Sequence, residues 1–324
     1  PAMKHSGFPA HLAANVEAHA STMGNMIPPA GMIGVAFAIL DGLYPNTYTM
    51  PQYWMLLWGI AIWFVAQRII TLFLMCKYYK VKPMAKEDLP SFRESLKTGW
   101  QGLLLPVIIL LPFVLDYLFK DTFFTARLGK EGAKYFSSSI LLFIGGVATI
   151  YTCLIAPDKK GVSVSNLVNM FANSVKSMSP SIGVCIFGYM IGALFNDLSI
   201  SDELGMIITS WNFGKFGTVV AVALITCFMG MVIPGSSIVV IFGPMFITTL
   251  ATVGCDPLLV AAMLPCICGV MCGITPPLGL GMYAGMTLAN SDFDKTFKNN
   301  LWWVAGQFAM EVIVLMGWLP ILGL

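Results

Sequence analysis

Charge is what this 324-residue sequence has least of: Lys, Arg, Asp and Glu together supply 10% of it, and histidine occurs three times. A soluble domain carries about a quarter charged residues, so water is not the main solvent of this chain. The 18 basic and 16 acidic residues nearly cancel, to a formal net charge of +2, which leaves no basic face for a nucleic-acid partner. His5, His11 and His19 lack metal-ligand spacing and have no intramembrane Asp beside them, which argues against a metalloenzyme or an intramembrane hydrolase. No nucleotide-binding motif is present, so nothing in these residues would hydrolyse ATP.

What the sequence has instead is apolar length. Hydrophobic residues make up 57% of it and the mean hydropathy is +0.79. Stretches able to cross roughly 30 Å of hydrocarbon recur at Tyr53–Cys76, Gly102–Phe119, Ser137–Ala156, Ile182–Phe195 and Leu301–Leu324. The pattern predicts an all-α polytopic membrane protein. The eight cysteines (Cys76, Cys153, Cys185, Cys227, Cys255, Cys266, Cys268 and Cys272) fall mostly inside apolar runs and read as small packing residues. The chain opens on Pro1 with no signal-peptide pattern, which predicts that further sequence precedes it.

Short loops rich in Lys and Arg stay in the cytoplasm. The loop Lys77–Lys97 holds six of them and is placed inside. Counting spans outward puts residues 41–50, 120–134 and 196–203 outside and residues 158–176 inside. Residues 120–134, with Lys120, Arg127, Lys130 and Lys134, are the one exception to the charge rule.

Three apolar segments are interrupted near their middles by Pro, Gly and small polar residues. They are Ala20–Pro29, Gly230–Ser237 and Cys272–Gly279. Proline removes a backbone donor and clashes with the preceding turn, so these breaks expose carbonyls and amides that lipid cannot satisfy. Such backbone persists only when buried in protein or lining a polar cavity, and it marks ion and substrate sites in secondary transporters. The first and third breaks run in opposite directions by the loop count, as inverted repeats do. The second has arms of only 12 to 13 residues, Thr218–Met229 and Val239–Ala251, and reads as a re-entrant hairpin entering from outside. A matching first hairpin would precede Lys4, so roughly 300 further residues, in the same chain or another, are expected.

Sodium is a hard cation that takes oxygen ligands, and the carbonyl end of a half-helix offers them. One candidate sodium site lies at Ser21, Thr22, Gly24 and Asn25. A second lies between Gly230, Ser236 and Ser237 of the hairpin and Gly273 and Thr275 of the third break. The alternative for each hydroxyl is that it caps its own broken helix. Amides at half-helix N-termini suit an anion, which makes Asn25, Pro28, Ser236, Ser237, Thr275 and Pro276 the candidate substrate contacts. Glu17 and His19 are the ionisable groups nearest the first break. Two residues apart on a helix they face different ways, so a structural hydrogen bond is expected in place of a proton relay. Arg68, near the inner end of its span, is expected to snorkel towards headgroups.

Several motifs together resemble the large membrane subunit of the tripartite ATP-independent periplasmic (TRAP) transporters. They are Gly7-Phe8, Val16-Glu17-Ala18, Ala20-Ser21-Thr22 with Gly24, and Ile27-Pro28-Pro29. Gly230-Met231 with Pro234, and Ile274-Thr275-Pro276-Pro277 before Tyr283-Ala284, belong to the same set. Asp88–Glu94 before Gly99-Trp100, and Ser174–Pro180, are similar to the version in which small and large membrane subunits are fused, of which this would be the C-terminal half. Phe8, His19 and Asn196–Ser199 depart from the usual pattern. The resemblance implies a sodium-driven elevator transporter that receives an organic acid from a soluble periplasmic binding protein, in the inner membrane. It implies a division into residues 1–50 (transport domain, first broken helix), 51–176 (scaffold and connecting helices) and 177–216 (arm helices). Residues 217–290 would be the transport domain's hairpin and second broken helix, and 291–324 a C-terminal scaffold helix. A stand-alone sodium-coupled anion symporter of the same architecture is the alternative.

Overall fold

The computed structural model describes residues 3, 6–28, 30–45, 47–82, 91–156, 162–173, 175–176, 190, 194 and 197–322. The described residues form helices and turns with no strand, as an all-α membrane protein requires. The chain divides into two compact units, residues 1–83 with 180–324, and residues 84–179.

In the first unit an interrupted helix comes first. Helix α1 (Ala10–Thr22) ends in a 3-10 turn at Met23–Asn25, and α2 (Gly31–Leu43) resumes beyond the prolines. Helix α3 (Met50–Tyr78) begins with a capping box in which Thr49 and Gln52 bond reciprocally. Its inner face is Tyr53, Leu56, Leu57, Ile60 and Phe64, all fully buried, at three- and four-residue spacing. The opposite face, with Met55, Trp58, Ile62, Ile69 and Phe73, is exposed and equally apolar. A helix apolar all round, with one side uncovered, is built for lipid. The extent of α3 agrees with the predicted span Tyr53–Cys76.

Helix α4 (Phe92–Gly99), α5 (Leu105–Phe119) and α6 (Thr125–Ile155) make up the second unit. Helices α5 and α6 pack together, Tyr151 donates to the Gln101 carbonyl at 2.6 Å, and Phe124 stacks on Phe136. Helix α6 bends at Gly129, whose φ of +72° suits glycine.

The first unit continues with α7 (Ile200–Ser210), α8 (Gly214–Gly230) and α9 (Gly235–Thr252). The arms α8 and α9 of the expected hairpin pack together, but they are 17 and 18 residues long. They exceed the expected length because Gly214–Gly217 and Gly235–Ile238 remain helical, glycine being tolerated at a helix end. The predicted span Ile182–Phe195 lies almost wholly outside the described residues.

A third helical run is α10 (Pro257–Leu264), capped by Asp256 through the Leu258 amide at 2.7 Å. Pro265 supplies no amide donor, and the helix widens into a π turn at Pro265–Val270 before α11 (Met271–Ile274). After the break, α12 (Leu280–Ala289) starts from Gly279, whose φ of +32° suits glycine. Helix α13 (Phe293–Leu315) closes the fold.

Among the described residues, Gln52–Tyr78, Gly235–Thr252 and Pro257–Ile274 are long and apolar enough to cross a membrane. The last of these is buried inside the protein over most of its length, with every residue from Leu258 to Met271 covered. Lipid provides no transfer gain for such residues, so close packing and internal hydrogen bonds hold them. Helix α1 packs along α12, and α2 along α10. The first half of one interrupted helix therefore lies against the second half of the other, and the two run side by side in opposite directions. That crossing brings the breaks together.

Candidate functional site

The three breaks meet. At the first, α1 stops ahead of Pro28, and the polar side chains there turn partly back on their own helix. Ser21 Oγ donates to the Ala18 carbonyl at 3.1 Å and Thr22 Oγ1 to the same oxygen at 2.9 Å. Asn25 reaches across, its Nδ2 donating to the Gly269 carbonyl in the π turn at 3.3 Å. The Thr22 methyl stands so close to Gly273 that a Cβ there would lie 2.6 Å from it. Helix α12 needs small residues on the same line. A Cβ at Gly281 would come 3.0 Å from the Gly273 carbonyl, and one at Gly285 would strike the Ala14 carbonyl.

The hairpin tip, Met231–Pro234, closes on the third break. The Gly235 amide donates to Cys272 Sγ at 3.2 Å, and the Leu278 amide donates to the Met231 carbonyl at 3.0 Å. Gly235 admits the π turn so closely that its Cβ would be 2.7 Å from the Cys268 carbonyl. Gly230 faces Cys272 in the same way, at 3.2 Å from its amide nitrogen. At the break itself Thr275 is extended, and its Oγ1 donates to the Met271 carbonyl at 2.6 Å.

The structure thus joins most of the predicted site residues. Gly230 and Gly235 lie against the Cys268–Cys272 stretch, next to Gly273 and Thr275, and Thr22 and Asn25 abut the other side of it. Direct packing of the first break on the third was not foreseen, since each had been assigned a separate site. Ser237 is fully buried and its Oγ has no partner among the described residues. Ser236 is half-buried, Pro28 buried and Pro276 half-buried, while Ser21 and Gly24 are exposed. Electrostatically the junction has two poles. Helices α1 and α11 arrive with carbonyl ends, which favour a cation, and α2, α9 and α12 leave with amide ends, which favour an anion.

Glu17 is exposed and His19 fully buried, so the two do face different ways. Asn300 Nδ2 donates to the Ile274 carbonyl at 2.7 Å, so its Oδ1 is the acceptor towards His19 Nε2 at 2.8 Å, and the imidazole carries its proton on Nε2. The ring also stacks on Trp303. His19 is held by hydrogen bonding and stacking, as expected of a structural residue.

Arg68 does not snorkel. It is 7% exposed, with Nε donating to the His19 carbonyl at 3.0 Å and Nη1 to Gln67 Oε1 at 2.6 Å. Its guanidinium reaches the carbonyl end of α1 because α3 packs on α1 along this face. Sequence reasoning also missed the buried polar row of α13: Thr296, Asn299, Asn300, Gln307 and Glu311. Asn15 of α1 donates to Asn299 Oδ1 at 2.8 Å and to the Thr296 carbonyl at 2.9 Å. The available signal was the spacing of three, four and seven, with one carboxylate inside an apolar span. An intramembrane ionisable residue is a candidate by default, and Glu311 met that description.

A helical membrane protein whose interrupted helices and hairpin tip meet in the interior belongs to the broken-helix class of multi-pass transport proteins. The model of the DctM component of the tripartite ATP-independent periplasmic transporters matches residues 1–322, and the chain belongs to that family, whose members are multi-pass inner-membrane proteins. It is 21% identical over 317 residues to the C4-dicarboxylate TRAP transporter large permease protein DctM of Pseudomonas aeruginosa, covering 96% of this chain and 67% of that protein. It is also 21% identical over 303 residues to the uncharacterized protein YgiK of Salmonella typhimurium, covering 92% of this chain and 62% of that one. The chain therefore spans about two thirds of the length of these curated relatives.

Proposed function

We propose that this chain is the main part of a sodium-coupled secondary transporter that takes up a small organic acid across the inner membrane. The substrate is handed over by a periplasmic binding protein, with a small membrane subunit or further N-terminal segment, fused or separate, completing the assembly in the lipid bilayer. The observation that carries the reading is the meeting of the three breaks at one junction. Carbonyl ends from α1 and α11 and hydroxyls of Thr22, Ser236, Ser237 and Thr275 suit sodium. Gly230 and Gly273 keep the backbone near enough for their own carbonyls to take part, and Ser21, Gly24 and Asn25 belong to the cation side of the first break. Amide ends at α2, α9 and α12, flanked by Asn25, Pro28, Ser236, Ser237, Thr275 and Pro276, suit a carboxylate.

The crossing of the two interrupted helices supports an inverted-repeat plan, and with it elevator motion of the body that holds the breaks. A C4-dicarboxylate is the first substrate to test, since the Pseudomonas relative is named for one. The experiment is uptake of labelled C4-dicarboxylate by proteoliposomes containing the full natural protein. It is run with and without a sodium gradient, and with and without the cognate binding protein. Uptake should need both. Full-rate uptake of free substrate without binding protein would establish the stand-alone symporter instead, and indifference to sodium would refute the coupling.

A further inference from the structure

Away from the junction, a second densely polar place lies along α13, where it packs on α3 and reaches the π turn. Gln307 and Glu311 are fully buried, one turn apart on α13, and Gln307 Nε2 donates to Glu311 Oε1 at 2.8 Å and to Cys266 Sγ at 3.0 Å. The Cys266 thiol in turn lies 3.8 Å from Glu311 Oε1. Arg68 comes from α3 and is brought beside α13 by Gln67: its Nη1 donates to Gln67 Oε1 at 2.6 Å, and the Gln67 amide lies so close to Gly306, next to Gln307, that a Cβ there would stand 2.6 Å from Gln67 Nε2. Three buried atoms in this cluster have no partner among the described residues: Arg68 Nη2, Gln307 Oε1 and Glu311 Oε2. An unpaired polar atom in such surroundings costs free energy, and an unpaired charge costs more. The set contains one donor and two acceptors. A single water molecule accepts one hydrogen bond and donates two, which matches this set in number and kind, and buried waters typically make about three such bonds.

We propose that Arg68 and Glu311 form a buried ion pair bridged by one water, which accepts from Arg68 Nη2 and donates to Glu311 Oε2 and Gln307 Oε1. Through this bridge Glu311 acts as a positioning residue for the carbonyl end of α1. The chain of contacts is short. Glu311 balances the guanidinium, the guanidinium is anchored by Gln67, and its Nε caps the His19 carbonyl three residues before Thr22. A cation at the first break would sit near that guanidinium, so the charge on Glu311 sets how strongly Arg68 opposes it. This last step rests on the sodium reading above, whereas the ion pair does not.

The pair is tested by a double-mutant cycle on thermal unfolding of the full natural protein in detergent, with Arg68→Met, Glu311→Met and both together. Each single change leaves one buried charge uncompensated and should lower Tm by about 10 °C, while the double variant should recover most of that loss. Single-variant losses that simply add in the double variant would overturn the pair. If the single variants do not fold, Glu311→Gln is compared with the exchange Gln307→Glu/Glu311→Gln, which restores one carboxylate a turn away. The exchange should melt closer to the parent than Glu311→Gln alone, and equal melting would overturn the pair. The bridge is read from an electron cryomicroscopy map that resolves ordered water. A peak touching all three atoms supports it, and a direct Arg68–Glu311 contact without such a peak overturns it.

Positioning is read from sodium dependence of uptake, which a purely structural residue would not shift. Folded Glu311→Gln should raise the half-saturating sodium concentration several-fold at an unchanged maximal rate. An unchanged half-saturation would overturn the positioning role. If the parent itself shows no sodium dependence, the proposed coupling and the positioning role both fail, and the melting cycle still decides the ion pair.

Discussion

Asn300 donates through Nδ2 to the carbonyl of Ile274 at 2.7 Å, and Ile274 is the last helical residue before the third break. The same side chain accepts from His19 near the end of α1. One amide on α13 therefore caps one interrupted helix and holds the other. The carbonyl that ends α11 is thus already engaged by the protein.

Replacing Asn300 with Leu should leave the Ile274 carbonyl and His19 Nε2 both buried without partners. Each unsatisfied group costs about 1–3 kcal/mol, and for a protein of this size a kilocalorie corresponds to roughly 2–4 °C of Tm. A fall of about 5 °C or more in detergent is expected. A variant melting within about 1 °C of the parent would show that solvent or another group satisfies both atoms.

Steric fit at the crossing gives a second prediction. Ala at Gly273 would drive a methyl against Thr22, and Ala at Gly285 would drive one against the Ala14 backbone. Overpacking of this kind costs about 1–3 kcal/mol, and backbone yields less than a side chain, so Gly285→Ala should be the more damaging. Gly34→Ala is the control: nothing lies within 4 Å of a Cβ there, and Ala favours a helix interior by about 1 kcal/mol. Tm should fall for the first two and hold or rise for the third. Equal behaviour of all three would contradict the close approach of α1 to α11 and α12.

The breaks themselves were legible, because Gly and Pro act on the backbone locally and leave their mark wherever they stand. Span α3 was legible for a similar reason: its apolar run is uninterrupted. What decided the interior was less visible. Arg68 was read as snorkelling because sequence distance from a membrane edge says nothing of rotation about the helix axis. Its burial depends on α1 lying alongside, a contact between residues 49 positions apart. In the polar row of α13, Gln307 and Glu311 were hidden inside the predicted span Leu301–Leu324, where averaged hydropathy absorbs them, and Thr296, Asn299 and Asn300 lay just before it, where polar residues are ordinary. The hairpin arms, read as Thr218–Met229 and Val239–Ala251, were underestimated because helix continues through Gly214–Gly217 before the first and through Gly235–Ile238, counted with the break, before the second. The meeting of the first break with the third follows from antiparallel crossing, which is a tertiary fact.

A third prediction concerns Thr275, whose hydroxyl bonds to Met271 and so stands as the helix-capping alternative to ligation. Thr275→Ser keeps the oxygen and should leave the sodium dependence of uptake near that of the parent. Thr275→Val keeps the shape and loses the oxygen. If Thr275 ligates sodium, Val should raise half-saturating sodium roughly three- to tenfold, the effect of about 1 kcal/mol. If the hydroxyl only caps α11, Val should lower Tm and leave half-saturation unchanged.

Ser237 separates the two roles most cleanly, because its Oγ is fully buried and has no partner among the described residues. A hydroxyl in that condition destabilises the protein that carries it, and Ser237→Ala removes it with little change in volume. Stability should therefore hold or improve, by up to about 1–3 kcal/mol, when measured without sodium. In sodium the sign should reverse. A ligand that binds only the folded state raises Tm by mass action, and a site that has lost an oxygen binds more weakly, so the sodium-induced rise in Tm should shrink in Ser237→Ala. Half-saturating sodium for uptake should rise in parallel. The two measurements together are decisive: an alanine variant with higher Tm, the same sodium-induced shift and the same half-saturation as the parent would remove Ser237 from the cation site and leave its unpaired hydroxyl as a packing defect of α9.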